Sequence, residues 1–157
     1  MNIKLVAVSK TDIDYIQTGI DDYLKRLGHY IPFELICIPA LKELRNATPE
    51  IVKEREAPLL LKQMERADKV ILLDENGTSF TSVGFAKQLQ KEMNSGIRTL
   101  MFVIGGAYGF APSVYEKANG KLSLSQMTFN HQMVRLFFVE QLYRAMTILR
   151  GEKYHNA

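Results

Sequence analysis

The sequence predicts one α/β domain with a mostly parallel sheet that is covered by helices on both faces. Segments with the period of a strand alternate along the chain with segments that have the period of a helix. The two central strands are apolar throughout, as in sheets that are buried on both faces. The length of 157 residues, with 46% hydrophobic and 24% charged residues, fits a single domain that spans residues 1–157.

The first half of the chain alternates two strands with two helices. Period-two alternation indicates the first strand and a short apolar run indicates the second, while an amphipathic stripe indicates the helix between them. Thr48 followed by Pro49 is a typical helix start, because proline fits the first helical position. The predicted elements are a strand at Asn2–Ser9, a helix at Ile13–Leu27, a strand at Phe33–Ile38 and a helix from Pro49 to about Ala67.

The second half continues the alternation. Its first apolar strand is followed by the turn signal Glu75-Asn76-Gly77. Asn130 and Gly151 are a favoured cap and a common stop for the last helix. The predicted strands are Lys69–Asp74, Arg98–Ile104 and Lys121–Ser125, and the predicted helices are Ser82–Met93, Pro112–Ala118 and His131–Leu149.

Composition excludes several classes of protein. The single Cys37 cannot form an internal disulfide, and its apolar neighbours predict a buried, inert thiol. We expect neither an export signal nor a membrane span, and therefore a protein of the cytoplasm. We expect no metal site, because the three histidines stand far apart without HExxH or paired CxxC motifs. The net charge of +3 is below that of a dedicated nucleic-acid binder.

A ligand is expected at the carboxyl ends of the parallel strands. Three segments follow such ends: the turn after Leu73, the glycine loop after Ile104 and the stretch after Leu124. The loop from Gly105 to Gly109 would let backbone amides approach a nucleotide-like ligand, although glycines that only turn the chain would look the same. We expect the three segments to converge on one pocket.

The last helix has apolar side chains at 12 of the 17 positions of Met133–Leu149, and they reach every side of the helix. One buried face does not account for this. We expect one side to pack on the sheet and another to meet a second copy in a two-fold homodimer. A central helix inside a monomer is the alternative.

Positive and aromatic side chains are concentrated in the C-terminal quarter. His131, at the start of the last helix, has a side chain that can move a proton near neutral pH, although a capping or surface role is open. Arg135, Arg144, Tyr154 and His155 would suit the phosphates and bases of RNA. A solvated helix face would have the same composition.

Several motifs, in order along nearly the whole chain, resemble the SPOUT methyltransferases. The strings that carry the resemblance are Phe102–Phe110, Leu122–His131, Arg135–Arg144 and Tyr154-His155. The resemblance implies a SPOUT-type fold with a C-terminal trefoil knot, and S-adenosylmethionine as cofactor. It also implies transfer of a methyl group to N3 of a pseudouridine in 23S ribosomal RNA, on assembled ribosomes.

The resemblance also implies roles for individual residues. His131 and Tyr154 are the expected catalytic residues, and Arg135 and His155 the expected contacts to RNA. Asn156 stands where family members usually carry a basic residue, which weakens a phosphate contact. A non-catalytic RNA- or nucleotide-binding module is the alternative function. The expected cofactor-binding residues are Leu73, Gly105, Leu124, Ser125, Gln126, Met127, Thr128 and Phe129.

Overall fold

A computed structural model describes residues 1–156. Its five strands form one parallel sheet in the order β2-β1-β4-β3-β5. The strands are β1 Asn2–Val8, β2 Phe33–Ile38, β3 Lys69–Ser79, β4 Thr99–Ile104 and β5 Gly120–Ser123. The helices are α1 Asp14–Leu27, α2 Pro49–Met64, α3 Ser82–Asn94, α4 Pro112–Lys117 and α5 Met133–Leu149, with a 3-10 turn at Lys42–Leu44. The predicted α/β class with a parallel sheet is confirmed.

Both faces of the sheet are covered, so the core has two layers. Leu100, Phe102 and Ile104 of β4 pack in one cluster with α1, α3 and α5. Met101 and Val103 pack in a second cluster with α2 and α4. Because successive side chains of a strand point to opposite faces, a strand buried on both sides reads as an unbroken apolar run.

The end of β3 differs from the prediction. The segment Glu75–Gly77 is not a turn after the strand but part of β3, whose register against β5 shifts between Leu73 and Thr78. A Cβ atom on Gly77 would lie 2.6 Å from the carbonyl carbon of Lys121. The glycine therefore allows two strands to approach closely, a use that glycine has in strands as well as in turns.

The prediction of a buried thiol was wrong, because Cys37 is exposed. It lies on β2, which forms one edge of the sheet and has Leu35 and Ile36 only half-buried beside it. An apolar run thus marks a strand here without marking its burial. Within residues 1–156, no helix has the length and apolar character that crossing a membrane requires.

Candidate cofactor pocket and C-terminal cluster

A pocket of about 500 Å³ lies at the carboxyl edge of β3, β4 and β5. The three strand ends that the sequence singles out do converge there. Of the eight residues expected to bind the cofactor, seven line the pocket: Leu73, Gly105, Leu124, Ser125, Met127, Thr128 and Phe129. Gln126 is exposed and is not among the described residues that line the pocket.

The glycine loop after β4 is closely packed at its first two positions. A Cβ atom on Gly105 would lie 3.1 Å from the carbonyl oxygen of Gly109, and one on Gly106 would lie 2.8 Å from a carboxylate oxygen of Glu56. The loop is closed by a hydrogen bond of 3.1 Å from the amide of Gly109 to the carbonyl of Gly106. Burial raises the pKa of Glu56, which lies on α2 beside this loop.

The segment after β5 is held by side-chain to backbone hydrogen bonds. The Ser123 hydroxyl donates to the carbonyl of Ser125 at 2.9 Å, and the Ser125 hydroxyl accepts from the amide of Met127 at 2.9 Å. Asn130 accepts from the amide of Gln132 at 2.7 Å, so it acts as a cap although α5 begins only at Met133. The segment is therefore an ordered wall of the pocket.

Two carboxylates that the sequence interpretation missed also line the pocket. Asp74 accepts hydrogen bonds from the Tyr115 hydroxyl and, at 2.8 Å, from the amide of Asn76. Glu75 accepts from the Thr128 hydroxyl at 2.5 Å. Burial, and then the hydrogen bond to Asp74, raise the pKa of Tyr115 to about 12. The position of Asp74 at the carboxyl end of the predicted apolar strand was the signal in the sequence that could have identified it.

His131 lies half-buried in the same pocket. Burial, and then the positive charge of Arg135, lower its pKa, while Asp12 acts in the opposite direction. Burial thus favours the neutral imidazole, the form that can accept a proton.

Arg135 does not face RNA: its side chain is completely buried, which is at odds with the expected contact. The guanidinium donates to the carbonyls of Val8 at 2.7 Å and Ser9 at 2.9 Å, and to the Thr11 hydroxyl at 3.0 Å. These bonds join the end of β1 to the first turn of α5. Because buried polar groups need partners, an arginine with this many bonds to the main chain has a structural role.

The residues Tyr154 and His155 lie away from the pocket, against α1 and α5. The Tyr154 hydroxyl is 3.1 Å from both the Tyr23 hydroxyl and a carboxylate oxygen of Glu140. Burial, and then the hydrogen bond with Tyr23, raise the pKa of Tyr154. Arg144 lies over the Tyr154 ring at 4.7 Å and 3.2 Å from Nδ1 of His155. Within one chain, the C-terminal tail with Tyr154 and His155 therefore does not line the pocket that contains His131.

Comparison with known proteins gives the family. The family profile described as "Predicted SPOUT methyltransferase" matches residues 1–155. The chain belongs to the SPOUT methyltransferases. Two proteins named "Ribosomal RNA large subunit methyltransferase H", from Flavobacterium johnsoniae and Christiangramia forsetii, are 59% and 52% identical to it, over 99% of both chains in each pair.

A solved structure shares the fold of this chain. It is described as a "probable methylase family protein" from Haemophilus influenzae Rd KW20, and the match has a TM-score of 0.55 at 14% identity. The match covers 99% of this chain and 71% of the other. As a SPOUT methyltransferase, the protein takes its methyl group from S-adenosylmethionine.

The pocket fits this cofactor in size and chemistry. Its volume is within the range of about 300 to 1,000 Å³ that is typical of small-molecule sites. Apolar walls at Leu73, Leu124 and Phe129 suit an adenosyl group, and the carboxylates of Asp74 and Glu75 suit the net positive charge of the cofactor. In residues 1–156, no cluster of three or more histidine, cysteine or acidic side chains is arranged to hold a metal ion.

Proposed function

We propose that this chain methylates N3 of a pseudouridine in 23S ribosomal RNA, on assembled ribosomes in the cytoplasm. The names of the two relatives support a target in large-subunit ribosomal RNA. The observation that carries the proposal is that His131 faces the same pocket as the three segments expected to hold the cofactor. A proton acceptor and a methyl donor would then lie side by side.

The chemistry requires such an acceptor. When bound, S-adenosylmethionine supplies an electrophilic methyl group on a sulfonium. The N3 nitrogen of the uracil ring is an imide that carries a proton, and its lone pair is delocalised into the carbonyl groups. We assign removal of that proton to His131, because burial lowers its pKa and so favours the neutral imidazole that can act as a base.

Positioning by the chain supplies the remaining catalysis. The glycine loop from Gly105 and the wall from Leu124 to Phe129 would fix the donor from two sides. Holding two reactants in a near-attack geometry contributes about 7 to 11 kcal/mol. Arg135 belongs to this positioning, because it anchors the turn that carries His131 to the end of β1.

The proposal includes a homodimer, in which the tail of one chain approaches the pocket of the other. Two exposed aromatic side chains on the packed helices α1 and α5 support it: Tyr15 is 69% exposed and Phe137 is 37% exposed. Tyr154 and His155 already lie against these two helices. In such a dimer they would orient the nucleotide that His131 deprotonates. A trefoil knot in the C-terminal half remains a prediction from the family resemblance.

The test is transfer of radiolabelled methyl groups from S-adenosylmethionine to ribosomes that lack this modification. Ribosomes that already carry it are the matched control, and isolated 23S RNA tests whether assembly is needed. We expect label on one pseudouridine of the unmodified ribosomes, mapped to N3 by mass spectrometry. Binding of S-adenosylmethionine without transfer to any of these substrates would contradict the proposal and support the non-catalytic module.

A further inference from the structure

The charges that line the cofactor pocket are of one sign. Its acidic side chains are Asp74 and Glu75, and its other ionisable side chains are His131, Tyr108 and Tyr115. The described residues that line the pocket include no lysine and no arginine. The two carboxylates therefore determine the sign of the formal charge on the pocket wall.

Neither negative charge is neutralised by an ion pair. None of the salt bridges among the described residues includes Asp74 or Glu75. Their hydrogen-bond donors are the hydroxyls of Tyr115 and Thr128 and the amide of Asn76, all of which are uncharged. Lys121 lies over the Tyr115 ring, with its ammonium 5.6 Å from the ring centroid, and does not line the pocket.

These carboxylates belong to adjacent residues of β3, and each is held in place by a hydrogen bond to another segment. Asp74 is tied to α4 through Tyr115, and Glu75 is tied through Thr128 to the segment after β5. Groups that are already oriented need little reorganisation when a cation enters, so their attraction is not offset by an ordering cost.

Methyl transfer changes the charge of the ligand in this pocket. S-adenosylmethionine carries a sulfonium, an ammonium and a carboxylate, which give one net positive charge. During transfer the bond from carbon to sulfur breaks, its electron pair stays on sulfur, and carbon bonds to N3, whose proton leaves to His131. The product, S-adenosylhomocysteine, has a neutral thioether and no net charge.

We propose that Asp74 and Glu75 select the methyl donor over its demethylated product by charge. The two ligands have nearly the same shape, so packing discriminates weakly between them, whereas the carboxylates attract the net positive charge that only the donor carries. The proposal rests on the assignment of this pocket to the cofactor. Its consequence is that transfer itself weakens retention of the product and so favours exchange for fresh donor.

Calorimetry on the full chain tests this with three probes: S-adenosylmethionine, S-adenosylhomocysteine and sinefungin, which carries an ammonium in place of the sulfonium. We expect Asp74→Asn and Glu75→Gln each to weaken the two cationic ligands by about 2- to 5-fold, as for partly exposed charge pairs. Binding of S-adenosylhomocysteine should not change. Glu116→Gln is the matched control, since Glu116 is exposed on α4 and does not line the pocket.

The outcomes separate charge selection from the pocket assignment. If both variants weaken all three ligands equally, or none of them, charge selection is overturned while the pocket stands. If the wild-type chain binds neither S-adenosylmethionine nor its product, the pocket assignment fails and the inference fails with it. Added salt should reduce the preference of the wild type for the cationic ligands, and should leave unchanged the preference of a variant that carries both Asp74→Asn and Glu75→Gln. Thermal unfolding checks that each variant is folded, because asparagine can accept only one of the two hydrogen bonds that the two carboxylate oxygens of Asp74 accept. Glutamine can accept the single hydrogen bond that Glu75 accepts from Thr128.

Discussion

Replacing Gly77 with alanine should destabilise the protein strongly, through the backbone of the neighbouring strand. The added Cβ atom would lie 2.6 Å from the carbonyl carbon of Lys121 and 2.7 Å from the amide nitrogen of Leu122. Carbon atoms in contact are about 3.5 to 4.0 Å apart, so β5 would have to move by about 1 Å. The obstacle is main chain rather than the end of a flexible side chain, and no rotamer change relieves it.

Overpacking of this kind costs about 1 to 3 kcal/mol, and we expect the upper end of that range. For a domain of about 150 residues, 3 kcal/mol lowers Tm by roughly 6 to 12 °C. The assay is thermal unfolding of Gly77→Ala beside Gly28→Ala. A Cβ atom on Gly28 would be 3.5 Å from its nearest neighbour, an ordinary contact, and the residue has φ −58°. If Gly77→Ala unfolds within about 2 °C of the Gly28 variant, the close approach of β3 and β5 is not what requires glycine.

Three further substitutions test the pocket and its support. His131→Ala should lower methyl transfer by about 10²- to 10⁴-fold with little change in Kd for the donor. In the wild type the transfer rate should rise with pH through a pKa below the usual 6.5 of histidine and then level off, because burial favours the neutral base. The rate of the variant should lack this rise with pH. A rate of transfer equal to that of the wild type would remove His131 from the mechanism. Gly105→Val should abolish binding of the donor in calorimetry, because even a Cβ atom at this position would lie 3.1 Å from the carbonyl oxygen of Gly109. The sedimentation of the variant should equal that of the wild type. Tight binding of the donor by the variant would refute the pocket assignment. Arg135→Met should destabilise the chain by about 2 to 4 kcal/mol in urea unfolding, since it leaves buried carbonyls of Val8 and Ser9 without a donor, and a stability equal to the wild type would contradict the structural role of the guanidinium.

Local sequence patterns predicted a strand well where both of its faces are buried. Arg98–Ile104 was predicted as a buried strand, and β4 occupies all of it but the first residue because both faces of that strand are covered. The end of β3 was not predictable in this way. Gly77 reads as a turn residue in sequence, and only the path of β5 shows that the space is needed within a strand.

The pocket could be predicted from topology, because parallel strands bring their carboxyl ends to one edge. The environment of individual side chains could not be predicted in this way. Arg135 looks like a surface cation beside other basic residues, yet it is enclosed where the end of β1 meets α5. Cys37 lies in an apolar run, yet its strand is at the edge of the sheet. Both properties depend on which element lies next to the residue, and that neighbour is far away in sequence.

The enclosure of Arg135 bears on how the protein would meet a polyanion. The formal net charge of +3 includes this guanidinium, which has no exposed surface and therefore cannot contact a phosphate. Each phosphate neutralised by a cationic side chain releases condensed counterions, which makes association steeply dependent on ionic strength. With fewer cations available outside, we expect a shallow salt dependence and recognition that relies on the shape of folded RNA.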